Sequence, residues 1–277
     1  MTRQASACGK IILTGEYAVV FEYPGIAVPT MQRVNVSFQE QSEDTVVWSN
    51  GTMEQWKTYA LTILQHLRTL HDIPHGTLTI TSDLPLGKGM GASTAVVIAL
   101  ARCMLGDDSH DEALSVENAL NEGHSGLDFA VIWAEHPLLY KKGEGPRRIE
   151  LPETGIDHLV LIDTGSPNET TAELVAMVKA RAEEPEIASA LREIGRCSDR
   201  LLAGEDIRLI FRDHNRAQVA LGVVPEETRE LIAKIEHLGG AAKVIGAGGA
   251  SGGGGIVLSI GIPEHDMPGE FPVIPLA

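Results

Sequence analysis

The spacing of apolar and polar residues divides the chain into short strands and amphipathic helices. Residues 11–20, IILTGEYAVV, carry two β-rich apolar runs around Thr14, Gly15, Glu16 and Tyr17, and a turn at FEYPG leads on to Ile26, Ala27 and Val28. VNVSFQ at 34–39 alternates as a half-exposed strand does, and TVVW at 45–48 reads as another strand after an acidic turn. Over 53–70, Trp56, Leu61, Ile63, Leu64 and Leu67 recur at helical spacing. TLTIT at 77–81 is a short strand that enters a glycine-rich stretch through Ser82 and Asp83, and the apolar run after that stretch predicts a buried helix. A further helix is predicted over 109–121, entered through Ser109 with Asp111 and Glu112 in its first turn. Gly126 and Asp128 then fall in a turn, LLY reads as a strand, and 141–145 form a basic, glycine-bearing turn.

Residues 146–157 are the least patterned connection between two richer regions, which predicts two domains, 1–150 and 151–277. Beyond it, HLVLIDTG reads as a strand, and helices are predicted over 169–182, 186–203, 206–221 and 225–238. KVI then enters a flexible loop over 246–255, and IVLSI leaves it as a strand. The tail from 263 to 277, with four prolines, reads as an irregular segment lying over the surface.

Composition narrows the function. Hydrophobic residues make up 43% and charged residues 22%, enough for a packed core, and with aromatics at 4% that core must be aliphatic. A formal net charge of −16 disfavours nucleic acid and anionic membranes, which call for a basic face. A nucleotide's charge would have to be met locally, by Mg²⁺, backbone amides and a few lysines. Cys8, Cys103 and Cys197 lack the spacing of a disulfide framework or a zinc site. With no apolar signal core and no stretch of the ~20 apolar residues a membrane span needs, the expectation is a soluble cytoplasmic protein.

LPLGKGMGASTAVVIAL, at 84–100, is the stretch on which chemistry centres. Gly87, Gly89 and Gly91 alternate before Ala92, Ser93 and Thr94, so a flexible loop feeds a helix N-terminus, whose unpaired amides and dipole favour phosphate. A strand packed tightly on a helix would use the same pattern. No Gly-Lys-Ser/Thr tripeptide closes the loop and the spacing is not that of a dinucleotide fold.

Three stretches in order, ACGKIILTGEYAVV, LPLGKGMGASTAVV and KVIGAGGASGGG, resemble the three motifs of the GHMP kinase superfamily. GHSGLD is similar to the PSGxD element of its mevalonate kinase branch, and LIDTGSPNETTAELV and DHNRAQVALGVVPEE resemble that branch's next strand and helices. The resemblance spans nearly the whole chain. It implies an α+β, two-domain GHMP kinase fold: an N-terminal ribosomal S5-like domain carrying the ATP and phosphate loop, and a C-terminal ferredoxin-like domain, with the active site between them. It also implies ATP- and Mg²⁺-dependent phosphorylation of the primary hydroxyl of mevalonate or a related alcohol, and homodimers are common in the family.

By the same resemblance Asp128 is the catalytic carboxylate that accepts or orients the acceptor's proton, and Lys10 the cation beside it and the transferring phosphoryl group. Gly87, Lys88, Gly89, Gly91, Ala92, Ser93 and Thr94 hold ATP phosphates, and Ser93 and Glu117 supply oxygens to Mg²⁺. Glu112 and Glu122 are rivals to Glu117. Glu16, Tyr17, Thr164 and Gly165 face the acceptor, while Gly246, Ala247 and Gly248 begin a third motif that either supports the first motif and the phosphates or is mobile. Lys88 is either a phosphate contact or a solvated loop charge.

Four positions depart from the family pattern. Tyr17 stands where histidine is usual, His124 replaces a proline, Ala92 replaces a serine and Lys88 lies inside the phosphate loop. GEYAVV is the form associated with phosphomevalonate kinases. That kinase is the nearest alternative, and a silent ligand-binding member is a third. The other histidines, among them His110, His136, His158 and His214, show no ligand spacing.

Overall fold

A computed structural model describes residues 2–49, 54–121, 124–152 and 158–274. Met53, Glu122, Gly123, residues 153–157 of the expected connection and the last three residues of the tail lie outside the described residues. The chain divides into two compact units, Met1–Lys10 with Pro29–Glu135, and Ile11–Val28 with His136–Ala277. Strands β1 (Thr2–Thr14) and β2 (Gly25–Glu40) each supply residues to both.

In the first unit, β2 pairs antiparallel with β4 (Gly76–Ser82) from Val34↔Ser82 to Glu40↔Gly76. Val34, Val36 and Phe38 turn inward, as the alternation predicts. β4 pairs in parallel with β3 (Thr45–Trp48), and the crossover that parallel strands require is helix α1 (Glu54–Leu70). α1 buries Ala60, Ile63, Leu64 and Leu67, one helical stripe. α2 (Ala92–Leu105) is buried on nearly every side, with Thr94 through Ala101 all in the core. Its alanines leave room for α1, α3 (His110–Leu120) and α4 (Leu127–Ala134) to pack around it. Ser109 precedes α3 without capping it; its hydroxyl donates instead to Gly106 O at 2.7 Å.

In the second unit, β5 (Leu138–Lys141) pairs with residues 25–27 of β2 and with β6 (Gly145–Arg148). A separate antiparallel sheet has the order β10-β7-β9-β8, formed by β7 (Val160–Asp163), β8 (Ala241–Ile245), β9 (Ile256–Ile260) and β10 (Val273–Ile274). Helices α5 (Thr171–Ala180), α6 (Pro185–Leu202), α7 (Ile207–Leu221) and α8 (Glu226–His237) complete the unit. A capping box between Thr170 and Glu173 starts α5. The mixed helix and sheet content of the two units is the α+β class expected.

Several local expectations change, among them the start of the 146–157 connection, where β6 pairs with β5. AVVF at 18–21 is a 3-10 turn rather than a strand, because Tyr17 turns the chain at φ 64° and Ala18 packs among α5, α6 and α7 side chains. Asp128 lies in the first turn of α4, entered through Gly126 at φ 90°, rather than in a turn. The tail is not wholly irregular, since Val273 and Ile274 pair with Ile162 and Leu161.

Candidate active site

In the first unit, β4 delivers the chain to the glycine loop and the loop delivers it to α2. Gly87, Gly89 and Gly91 all take positive φ, the conformation for which glycine is the default. Gly91 is also closely packed: a Cβ there would lie 2.7 Å from Ile132 Cδ1 and 3.0 Å from Lys10 Cγ, so those side chains would have to move. Ala92, Ser93 and Thr94 form the first turn of α2, where amide groups and dipole favour an anion. Lys88 is half-buried within the loop.

Lys10 ties this loop to the expected base. Its backbone N–H donates to Met90 O, and its Nζ donates to Gly89 O, both at 3.0 Å. The same ammonium stands 3.0 Å from Asp128 Oδ2. Lys10 is buried, so its cation depends on these partners, while Asp128 keeps an open side.

Glu117 lies on α3 with its side chain buried, and Thr94 Oγ1 donates to its Oε1 at 2.8 Å. Its Oε2 is buried and makes no hydrogen bond of ordinary geometry among the described residues. Burial is the main force pushing the Glu117 carboxyl up to about 7; the Thr94 hydroxyl and Asn121 oppose it, and the charge of Asp128 adds to it. Glu112, by contrast, faces out and meets His71 at 2.9 Å. The first unit therefore brings together Lys10, Asp128 and the glycine loop, and seats Thr94 on Glu117.

The second unit holds the other expected residues. Glu16 is wholly buried, its Oε1 ion-paired with Lys243 Nζ and its Oε2 3.0 Å from His214 Nε2. Burial acts to raise the Glu16 carboxyl, but Lys243 and then His214 outweigh it and hold it below the usual range. Burial lowers His214, and Lys243 lowers it further against the pull of Glu16. Tyr17 is buried and its hydroxyl donates to Ala247 O; burial first, then Glu16, raises its pKa. Thr164 Oγ1 donates to Gly255 O at 2.9 Å and accepts from Gly254 N at 3.1 Å, and Gly165 N–H donates to Asp163 Oδ1 at 3.0 Å.

Gly246, Ala247 and Gly248 begin the loop between β8 and β9, and that loop is bonded throughout. Gly249 N donates to Val223 O at 3.0 Å and Gly253 N to Ser166 O at 2.9 Å. A Cβ at Gly253 would strike the Thr164 and Gly165 backbone, which accounts for glycine there. Lys243 escaped the sequence reading, although a lysine inside an apolar strand before a glycine loop was a visible signal. Glu169, which accepts from Ala250 N and Ser251 N, carried no signal of its own.

A family model described as the GHMP kinases N terminal domain matches residues 58–133. The mevalonate kinase of Thermococcus onnurineus is 30% identical, with the match covering 88% of this chain and 86% of that protein. That of Archaeoglobus fulgidus is 28% identical over 98% of this chain and 96% of its own. Among solved structures, the Methanococcus jannaschii mevalonate kinase shares the fold at a TM-score of 0.73 and 20% identity, covering 96% of this chain and 91% of that one. A glycine loop at a helix start, joined to a lysine–aspartate pair, fits a small-molecule kinase of the GHMP class. The chain belongs to the mevalonate kinase family of that class.

Proposed function

We propose that this kinase transfers the γ-phosphoryl group of ATP to the primary hydroxyl of mevalonate, giving 5-phosphomevalonate. The observation that carries the reading is the double engagement of Lys10, which holds Asp128 and the glycine loop at 3.0 Å each. Asp128 takes the hydroxyl proton as the acceptor oxygen bonds to phosphorus and the bond to ADP breaks, its electron pair leaving with ADP. Lys10 holds that carboxylate in place. The loop amides and the start of α2 take the phosphates. Choice of mevalonate rests on the mevalonate kinases to which the chain is similar along most of its length.

Mg²⁺ suits the donors present. Among the described residues no three His, Cys, Asp or Glu side chains gather into a metal centre. A buried carboxylate oxygen of Glu117 nevertheless makes no hydrogen bond of ordinary geometry among the described residues, and Mg²⁺ is commonly held by one or two carboxylates plus phosphate oxygens and water. Glu117 and the Ser93 hydroxyl would hold the ion, which when bound neutralises charge on the phosphates. Thr164 and Gly165 serve the acceptor. Glu16 and Tyr17, both buried and engaged, set the backbone of the first motif.

Tyr17 in GEYAVV favours a second reading, phosphomevalonate kinase. That acceptor adds a phosphate and calls for further cations, which the residues around the motifs do not supply in evident excess. ADP release with Mg²⁺-ATP against mevalonate, 5-phosphomevalonate, homoserine, galactose and no acceptor decides between them. Turnover on mevalonate supports the first reading; turnover on 5-phosphomevalonate alone replaces it with the second.

A further inference from the structure

Residues 246–255 carry little side-chain surface with which to fix their own path, so the path is fixed from outside. At the entrance Tyr17 donates its hydroxyl hydrogen to Ala247 O. At the turn the Glu169 carboxylate takes three hydrogen bonds: Oε2 accepts from Ala250 N at 3.1 Å and Ser251 N at 3.2 Å, and Oε1 accepts from Ser251 Oγ at 2.5 Å. Asn168 adds its own N–H to Ser251 O and its Nδ2 to Ser251 Oγ, each at 3.1 Å. Gly255 N then donates to Gly165 O at 3.0 Å. Glu169 is itself steadied, because the next residue, Thr170, caps α5.

We propose that Glu169 is a positioning residue: its carboxylate locks the turn at Ala250 and Ser251 onto residues 165–170, so that the third glycine loop and the Thr164 end of the acceptor segment are held as one body. The inference rests on the proposed function for its kinetic consequence, but the lock itself does not. Two backbone amides and a hydroxyl converge on one side chain, and the carboxylate accepts from all three at once, both amides at Oε2 and the hydroxyl at Oε1. A glutamine of the same shape can keep its one oxygen on the two amides and give its NH₂ to the Ser251 hydroxyl, whereas an alanine removes every acceptor.

Glu169→Ala and Ser251→Ala are compared with the full-length parent by hydrogen exchange and steady-state kinetics. Exchange at the 250 and 251 amides is expected to rise several-fold in Glu169→Ala, because both lose their acceptor at a solvent-exposed site. Ser251→Ala gives a smaller rise. The acceptor KM is expected to increase several-fold while the ATP KM and Tm hold, whereas a merely structural role would lower Tm and the active fraction and leave both KM values alone. Unchanged exchange overturns the lock. Faster exchange with an unaltered acceptor KM overturns its role in positioning, and an altered ATP KM alone assigns the loop to the nucleotide instead. If the parent turns over no acceptor, the proposed function fails and the positioning role with it, while the exchange result still reports on the lock.

Discussion

Lys10 Nζ and Asp128 Oδ2 meet at 3.0 Å with unequal exposure, 2% for the lysine side chain and 35% for the aspartate. The cation is the member that cannot do without its partner. Lys10→Met keeps the stem packed and leaves Asp128 with access to water, so no charge is stranded. We expect turnover to fall by about 10²–10³-fold, the order of one lost charge contact at the transferring group, with Tm nearly unchanged. Unaltered kcat in Lys10→Met would remove the residue from the chemistry.

Glu117 gives the ion-free protein a pH dependence of definite sign. Its folded pKa of about 7 lies above the ordinary carboxyl value of 4.5. Below 4.5 the folded and unfolded states both hold the proton and there is no penalty. Between pH 4.5 and about 7 the unfolded state gives up the proton while the folded state keeps it, so stability falls across that window, by about 3 kcal/mol in total, and levels off above it. Denaturation from pH 5 to 8 without Mg²⁺ should show this decline, and Glu117→Gln should flatten it.

The Glu16–Lys243 ion pair makes a prediction about stability instead. Removing Glu16 leaves Lys243 to backbone carbonyls, and removing Lys243 leaves Glu16 to His214, an imbalance that costs about 3–5 kcal/mol. Glu16→Gln and Lys243→Met should each lower the denaturant midpoint steeply. A Glu16→Gln protein of full stability with a raised acceptor KM would make Glu16 an acceptor contact.

Two loop glycines separate conformation from space. Gly87 has positive φ and open surroundings, so Gly87→Ala should cost only the left-handed penalty of about 1–2 kcal/mol. Gly91→Ala adds a clash with Ile132 and the Lys10 stem. It should lose more stability, and activity with it, because Lys10 must shift. Equal effects at both sites would contradict the packing described.

Elements governed by local periodicity were legible in the chain. TVVW matches β3 and IVLSI matches β9 residue for residue, and the stripe of α1 lies where its leucines place it. What escaped was decided by tertiary contact. Val19 and Val20 favour a strand, yet Tyr17 redirects the backbone and α5, α6 and α7 receive Ala18. Glycine after glycine at 248–255 suggests mobility, but the carbonyls and carboxylate that bind this loop come from residues 165–169 and 223, far away in sequence. Asp128 and Lys10 could be named from motif resemblance, whereas their contact required the fold. Lys243 and His214 acquire meaning only beside Glu16.

The most direct measurement is phosphorus NMR of the products formed from Mg²⁺-ATP and mevalonate by the parent and by Asp128→Asn. A phosphomonoester signal of 5-phosphomevalonate is expected to grow with ADP in the parent. In Asp128→Asn the expected rate is lower by about 10²–10⁴-fold, the range for a lost general base, with ATP still bound. A parent that forms no phosphomevalonate, or an Asp128→Asn variant that forms it at the parent's rate, would contradict the proposed function.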